Sequence, residues 1–225
     1  LAPLSFHPRV GLSDVQVEGI RSVTADDIRE AHASGCELKL LAIAQLREDE
    51  HARGVSVRVH PALVPADHPL ASVHGAYNAV LVEAESAGRL MFYGQGAGGA
   101  PTASAVLSDV VAAAAHRVYG GRAPRDSSSA RLSVLGPEAA VTRYQIQLRV
   151  EDAAGSLAAM AGVFADNEVS INSVRQSAYV TRDGAAVVTF VTHPAPVFHL
   201  DAAVEGLRHS ERVLEVVSVW RVEGQ

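Results

Sequence analysis

The chain has 225 residues, 48% hydrophobic and 20% charged, with a formal net charge of −6. That balance suits a soluble globular α/β protein of one or two domains. It offers no clustered Lys and Arg for nucleic acid and no apolar run long enough to span a membrane. Cys36 is the only cysteine, so no intramolecular disulfide can form, as expected of a cytoplasmic protein; it reads as a small buried hydrophobe.

The chain opens at Leu1 without methionine. LAPLSF lacks the charged and apolar regions of a signal peptide and reads as the last turn of a helix whose beginning is missing. Thr24 precedes ADDIREAHA, with Asp27 three residues on, which predicts a capped helix. Cys36 to Arg47 predicts a strand and Glu48 to Gly54 a charged turn. Val55, Val57 and Val59 alternate with Ser56, Arg58 and His60, the pattern of a half-buried strand. Pro61 to Gly75, with three prolines and two histidines, predicts a loop with a short helical turn. Asn78–Glu83 and Arg89–Tyr93 predict two strands joined at Ala87–Gly88, and Thr102–Tyr119 one long helix. Gly120 to Pro137 reads as a linker, of which Leu132, Val134 and Leu135 are expected to pack.

Beyond it the pattern sharpens. Tyr144, Ile146, Leu148 and Val150 alternate with polar residues. Asp152–Gly155 turns, and Leu157, Met160, Ala161 and Phe164 mark an amphipathic helix. Val169–Tyr179 and Ala185–Thr192 follow as strands joined by Arg182-Asp183-Gly184. Leu200, Val204 and Leu207 mark a second helix, and Val213–Val222 a last strand. The order β-α-β-β-α-β is that of the ferredoxin-like unit. The fold class expected is α/β (α+β): a mixed-sheet domain over residues 1–119, a linker over 120–142 and the ferredoxin-like unit over 143–225.

Leu90 to Val111 carries the most chemistry. A strand pattern enters a glycine-rich turn and a helix leaves it, and Gly94, Gly96 and Gly99 satisfy G-x-G-x-x-G. Backbone approaches a phosphate closely where side chains are absent, and helix N-termini attract anions. A dinucleotide fingerprint, however, sits in the first βα turn and needs a second strand ending in an acidic residue about twenty positions on. Here that distance falls in the helix end and the linker, so the spacing lacks its context. The ten histidines show no H-x-x-x-H or E-x-x-H metal spacing on a predicted helix, and no metal site is expected. Glu18 reads as a salt-bridged strand residue.

Two resemblances add to this. EDAAGSLAAMAGVFADNEVSINSVRQ resembles the opening of an ACT domain, an amino-acid-sensing module with a D-x-P-G-x-L turn. Here that turn is Asp152 to Leu157, with Ala154 in place of proline, followed by Asn167, Ile171, Asn172 and Ser173. The resemblance implies an allosteric site formed by Asp152, Gly155, Leu157, Ile171 and Asn172. YGQGAGGAPTASAVLSDVV is similar to the Y-G-P-G-A-G-x-x-P-T-A-S-A-V-x-x-D segment of homoserine dehydrogenases, with Gln95 replacing proline. RVGLSDVQVEGIRSVTADDI, CELKLLAIA and NAVLVEAESAGRLMFYG are similar to further segments of that family.

The second resemblance implies that a Rossmann domain, the catalytic lysine and the acidic residues that hold homoserine precede Leu1. On it, no catalytic residue lies in this chain, Lys39 is an outward strand residue, and the chain alone is inactive. NADP or NAD serves the intact enzyme, Gly96 and Gly98 approach its nicotinamide end, and Thr102 caps the following helix. A purely structural role for these glycines stands beside that one. Implied partners are further copies of the chain, as dimer or tetramer, and threonine as effector; no nucleic acid or membrane is implied. The alternative is a non-catalytic amino-acid-binding protein that never had a Rossmann half.

Overall fold

One long strand organises the first part of the chain. In the computed structural model, which describes residues 10–48, 53–120, 132–176 and 184–224, β1 (Gln16–Val17), α1 (Ala25–Ala33), β2 (Cys36–Glu48) and β3 (Arg53–Pro65) follow in order. The predicted cap of α1 is present. The Thr24 hydroxyl accepts from the Asp27 N–H at 3.2 Å, and the Asp27 carboxylate accepts from the Thr24 N–H at 2.7 Å. Strands β2 and β3 pair antiparallel from Cys36 opposite Pro65 to Glu48 opposite Arg53.

β3 corrects two expectations. It runs on through Pro65, across residues expected to loop. It is also not half-buried: Ser56, Arg58 and His60, expected on a solvent face, are 4%, 2% and 2% exposed. The reason is its position. β2 pairs along one side, while β1, β11 (Val213–Val222) and β6 (Ser133–Val134) take successive stretches in parallel. Pro61 lies between Val59, where β1 ends, and Ala62, where β11 joins. A residue without an N–H is tolerated where no ladder donor is needed.

The remaining elements are β4 (Tyr77–Ala84), β5 (Gly88–Gln95), α2 (Gly99–Tyr119), β7 (Val141–Glu151), α3 (Ser156–Asp166), β8 (Ile171–Gln176), β9 (Ala185–Thr192), β10 (Ala195–Pro196) and α4 (Val197–Arg208). Within the expected loop, the short helical turn forms at Pro69–Ser72. Two compact units result: Leu1–Pro65 with Ser129–Gln225, and Ala66–Ser128. The smaller holds the β4–β5 hairpin and α2. In the larger, strands β11-β7-β9-β8 are neighbours in that order, with α3 and α4 between them in sequence, which is the expected ferredoxin-like unit. Because β11 also pairs with β3, backbone hydrogen bonding joins this unit to the β2–β3 hairpin instead of parting them at a linker. Of the expected linker, Ser133–Val134 pairs with Gly54–Val55 and the Leu135 N–H reaches the Val55 carbonyl at 2.9 Å; residues 121–131 lie outside the described residues.

The main core forms where the alternation predicted it. Tyr144, Ile146, Leu148 and Val150 meet Met160 and Phe164 of α3, Leu200 and Leu207 of α4, and Phe190 of β9. The Phe164 and Phe190 rings lie 5.2 Å apart. Each such side chain stabilises the fold by about 1.5–3 kcal/mol when fully buried, so this unit carries the strongest local drive to fold. The predicted Val169–Tyr179 strand is ordered as β8 from Ile171 to Gln176; residues 177–183, including Arg182 and Asp183, lie outside the described residues.

Candidate functional site

The glycine-rich turn between β5 and α2 is the candidate site. β4 and β5 pair from Tyr77 opposite Gln95 to Ala84 opposite Gly88, and the Tyr77 and Tyr93 rings stack at 4.8 Å. The hairpin therefore delivers the chain to Gly96 in a set direction, where the Gly96 N–H donates to the Ala76 carbonyl at 2.9 Å.

The glycines are not equivalent. A Cβ on Gly96 would lie 1.7 Å from the Asn78 side-chain nitrogen, whereas Gly94 and Gly99 have open space around them. Gly98 has φ 131° and ψ 148°, a conformation essentially reserved for glycine. So of the three residues that match the dinucleotide spacing, only Gly96 is required sterically, and the second required glycine, Gly98, falls outside that spacing.

Gly98, not Thr102, is the N-cap of α2, and it has no side chain to offer. This corrects the expectation that Thr102 caps the helix. Thr102 sits in the first turn, its N–H bonded to the Gly98 carbonyl at 3.1 Å. The N–H groups of Gly99 and Ala100, at the first two helical positions, have no intrahelical acceptor and point out of the helix end. An anion or a carbonyl oxygen is favoured there. Gly96, Gly98 and Thr102 are brought together on the wall of one open hollow of about 850 Å³, with Ala103, Val106 and Leu107 along the rest. Apolar walls beside free backbone donors suit a flat, partly polar ring better than a bare phosphate.

The five residues of the expected allosteric site are divided by the structure. Gly155, at φ 90°, caps α3 in the left-handed conformation, with nothing near its missing Cβ, so its backbone angle and not crowding calls for glycine. Leu157 is 45% exposed beside it. Ile171 lies opposite Thr192 and Ser173 opposite Val191, leaving Asn172 as the extra residue of a β-bulge on the edge strand β8. The turn follows Glu151, which lies opposite Ala185. Ala185 and Thr192 are the two ends of β9, about 23 Å apart at ~3.3 Å per residue. Within one chain, then, Asp152, Gly155 and Leu157 sit at one end of the sheet and Ile171 and Asn172 at the other.

Other sequence readings resolve plainly. Arg221 donates a hydrogen bond to Glu18, so Glu18 is salt-bridged as expected. Lys39 is half-buried in β2 opposite Ala62. Cys36 is half-buried, packed against the small cluster of Ala31, Leu63 and Val222. Among the described residues no three His, Cys, Asp or Glu side chains gather as metal ligands, and no helix is long and apolar enough to cross a membrane.

Sequence reasoning missed one polar centre. Arg58 donates to Glu223 at 3.1 Å, to Gln45 at 3.2 Å and to Ser56 at 3.5 Å; Thr142 donates to the same Glu223 oxygen at 3.1 Å. His60 Nε2 lies 3.6 Å from that oxygen. Burial holds the His60 pKa below its usual value, helped by Arg221 and Arg58 and opposed by the Pro61 carbonyl and Glu223. Only the polar alternation Ser56-Arg58-His60 hinted at it.

The fold and this site define an α/β protein with a glycine-turn strand–helix crossing and an appended ferredoxin-like unit. A homoserine dehydrogenase family model matches residues 1–111. The chain is similar to the homoserine dehydrogenase of Mycobacterium tuberculosis, 51% identical over all of this chain and 52% of that protein. Against that of Corynebacterium glutamicum it is 47% identical over 99% of this chain and 50% of the other. The crystal structure of a homoserine dehydrogenase from Thiobacillus denitrificans superposes with a TM-score of 0.85 at 31% identity, over 99% of this chain and 50% of that one. The match to the homoserine dehydrogenase family covers residues 1–111, the likeness to its members runs along the whole chain, and the chain spans about half the length of the relatives it matches.

Proposed function

We propose that this chain forms the substrate and dimerisation part (1–119) and the ACT regulatory part (143–225) of a homoserine dehydrogenase. The parent enzyme would interconvert L-aspartate 4-semialdehyde and L-homoserine with NADP or NAD. The observation that carries this reading is 51% identity along the whole chain to a homoserine dehydrogenase. The hollow at the glycine turn fits one edge of such a cofactor: Gly96 and Gly98 keep side chains away, and the free N–H groups at the start of α2 can hold a carboxamide oxygen. When bound, the cofactor supplies or accepts the hydride. The role of this chain's residues is to position the ring and to keep water from the apolar side along Val106 and Leu107. The expectation that the chain alone is inactive rests on the resemblance, which matches the chain's single lysine, Lys39, to a position within β2.

The regulatory half of the proposal is threonine binding at an ACT domain. The left-handed cap at Gly155 and the open start of α3 can receive a carboxylate, and the bulge at Asn172 re-aims an amide outward. One small ligand cannot bridge about 23 Å, so a ligand touching both would sit between two copies, which supports a homo-oligomer. The test is homoserine-dependent NADP reduction. The isolated chain is expected to show none, and the same chain joined to a nucleotide-binding half of a relative is expected to show it. Turnover by the chain alone overturns its inactivity, and a joined, folded protein without turnover overturns the dehydrogenase reading.

A further inference from the structure

Tyr144 and Arg221 face each other across the β7–β11 ladder, and the Arg221 guanidinium lies 6.0 Å above the Tyr144 ring. Val219 is two positions further along the same face of β11. Over this face runs α4, on which Asp201, Val204, Glu205 and Arg208 recur at the three- and four-residue spacing of one helical side. The Tyr144 O–H donates to Asp201 Oδ1 at 2.7 Å, holding helix to sheet. Glu18, one residue beyond β1, closes the remaining side and accepts from Arg221. These residues line an open pocket of about 330 Å³, at the small end of ligand sites.

Its charges do not cancel internally. Glu18 is matched by Arg221, and one oxygen of Asp201 by Tyr144. Among the described residues the Glu205 carboxylate has one contact, 3.5 Å from His209, and the Arg208 guanidinium has neither a hydrogen bond nor an ion pair. A simple anion entering here would meet three carboxylates, and a simple cation two guanidiniums. A molecule carrying both charges satisfies both sets, because charge-assisted hydrogen bonds form at each end. Val204 and Val219, which belong to the core beneath, give the pocket an apolar floor.

We propose that this pocket binds a small α-amino acid as its zwitterion. The carboxylate pairs with Arg208, the ammonium with Asp201 and Glu205, and a short apolar side chain lies against Val204 and Val219. The site shares no residue with the Gly155 turn or the Asn172 bulge, and it does not depend on dehydrogenase activity.

The probe is L-valine, titrated calorimetrically into the 225-residue chain. Saturable binding is expected. The analogue lacking the ammonium, 3-methylbutanoate, and the one lacking the carboxylate, 2-methylpropylamine, should each bind at least about tenfold more weakly. Arg208→Gln, an exposed change that leaves the core untouched, should weaken L-valine about ten- to hundredfold, and Asp201→Asn by a similar factor, while Asn172→Ala leaves it unchanged. Absence of saturable binding overturns the proposal, as does equal affinity for 3-methylbutanoate. Binding lost in Asn172→Ala but kept in Arg208→Gln also overturns it, and would place the amino acid at the other site.

Discussion

Gly96 and Asn78 illustrate how a motif residue can be set by its neighbour. The Cβ of an alanine at 96 would occupy the space of the Asn78 amide. Gly96→Ala is therefore expected to cost about 1–3 kcal/mol, and most of that cost should vanish in an Asn78→Ala background, read as a double-mutant cycle in urea. At Gly98 the cause is the backbone, so Gly98→Ala should cost about 1–3 kcal/mol whatever stands at 78. The buried centre on β3 makes a sharper case. Glu223→Ala leaves Arg58, 2% exposed, as a buried charge without its carboxylate, and should destabilise the chain by about 3–5 kcal/mol. His60 adds a pH dependence. Its folded pKa is lowered from 6.5, so the unfolded chain binds the proton more tightly. The stability this contributes is complete above pH 6.5 and is lost as pH falls below it toward the lowered value. Urea midpoints measured downward from pH 7 should fall less steeply in His60→Gln.

Local pattern decided some elements and neighbours decided others. The strands and helices of the ferredoxin-like unit were legible because alternation and helical spacing coincide there with burial: the predicted residues Ile146, Leu148, Met160, Phe164, Leu200 and Leu207 are all 0–1% exposed. The continuation of β3 was not legible, since Pro61 and Pro65 argue locally for a loop and only the strands that pair beside them provide the ladder. Thr102 as a cap failed for a related reason: the helix begins three residues earlier, at Gly99, where Gly98 can adopt an angle that threonine cannot. Gly155 tests the opposite situation, an element end set by its own backbone. With open space about it, Gly155→Asn should cost less than Gly155→Ala, itself about 1–2 kcal/mol, because asparagine visits the left-handed region more readily. Thermal unfolding of the two variants reads the difference.

At the scale of the molecule, α2 has no buried residue, and Val106, Leu107, Val110 and Val111 are 56–66% exposed. A run of apolar side chains left in water marks a surface meant to be covered. Under the proposed function the cover is the nucleotide-binding half. Leu107→Asp should then change the stability of this chain by no more than about 0.5 kcal/mol while lowering the NADP affinity of the joined enzyme, which fluorescence titration would detect.

The family resemblance and the β-α-β-β-α-β order were legible in the sequence alone, because both rest on short runs of residues whose spacing carries the meaning. Tertiary structure alone decided which glycines of the turn are required, that the expected allosteric residues lie at opposite ends of a sheet, and that Glu18, Tyr144, Asp201 and Arg221 meet around one pocket. Those facts depend on pairing between strands far apart in the chain: Glu18 and Arg221 are 203 positions apart. No local spacing encodes such a distance; the register of β1, β3, β11 and β7 does.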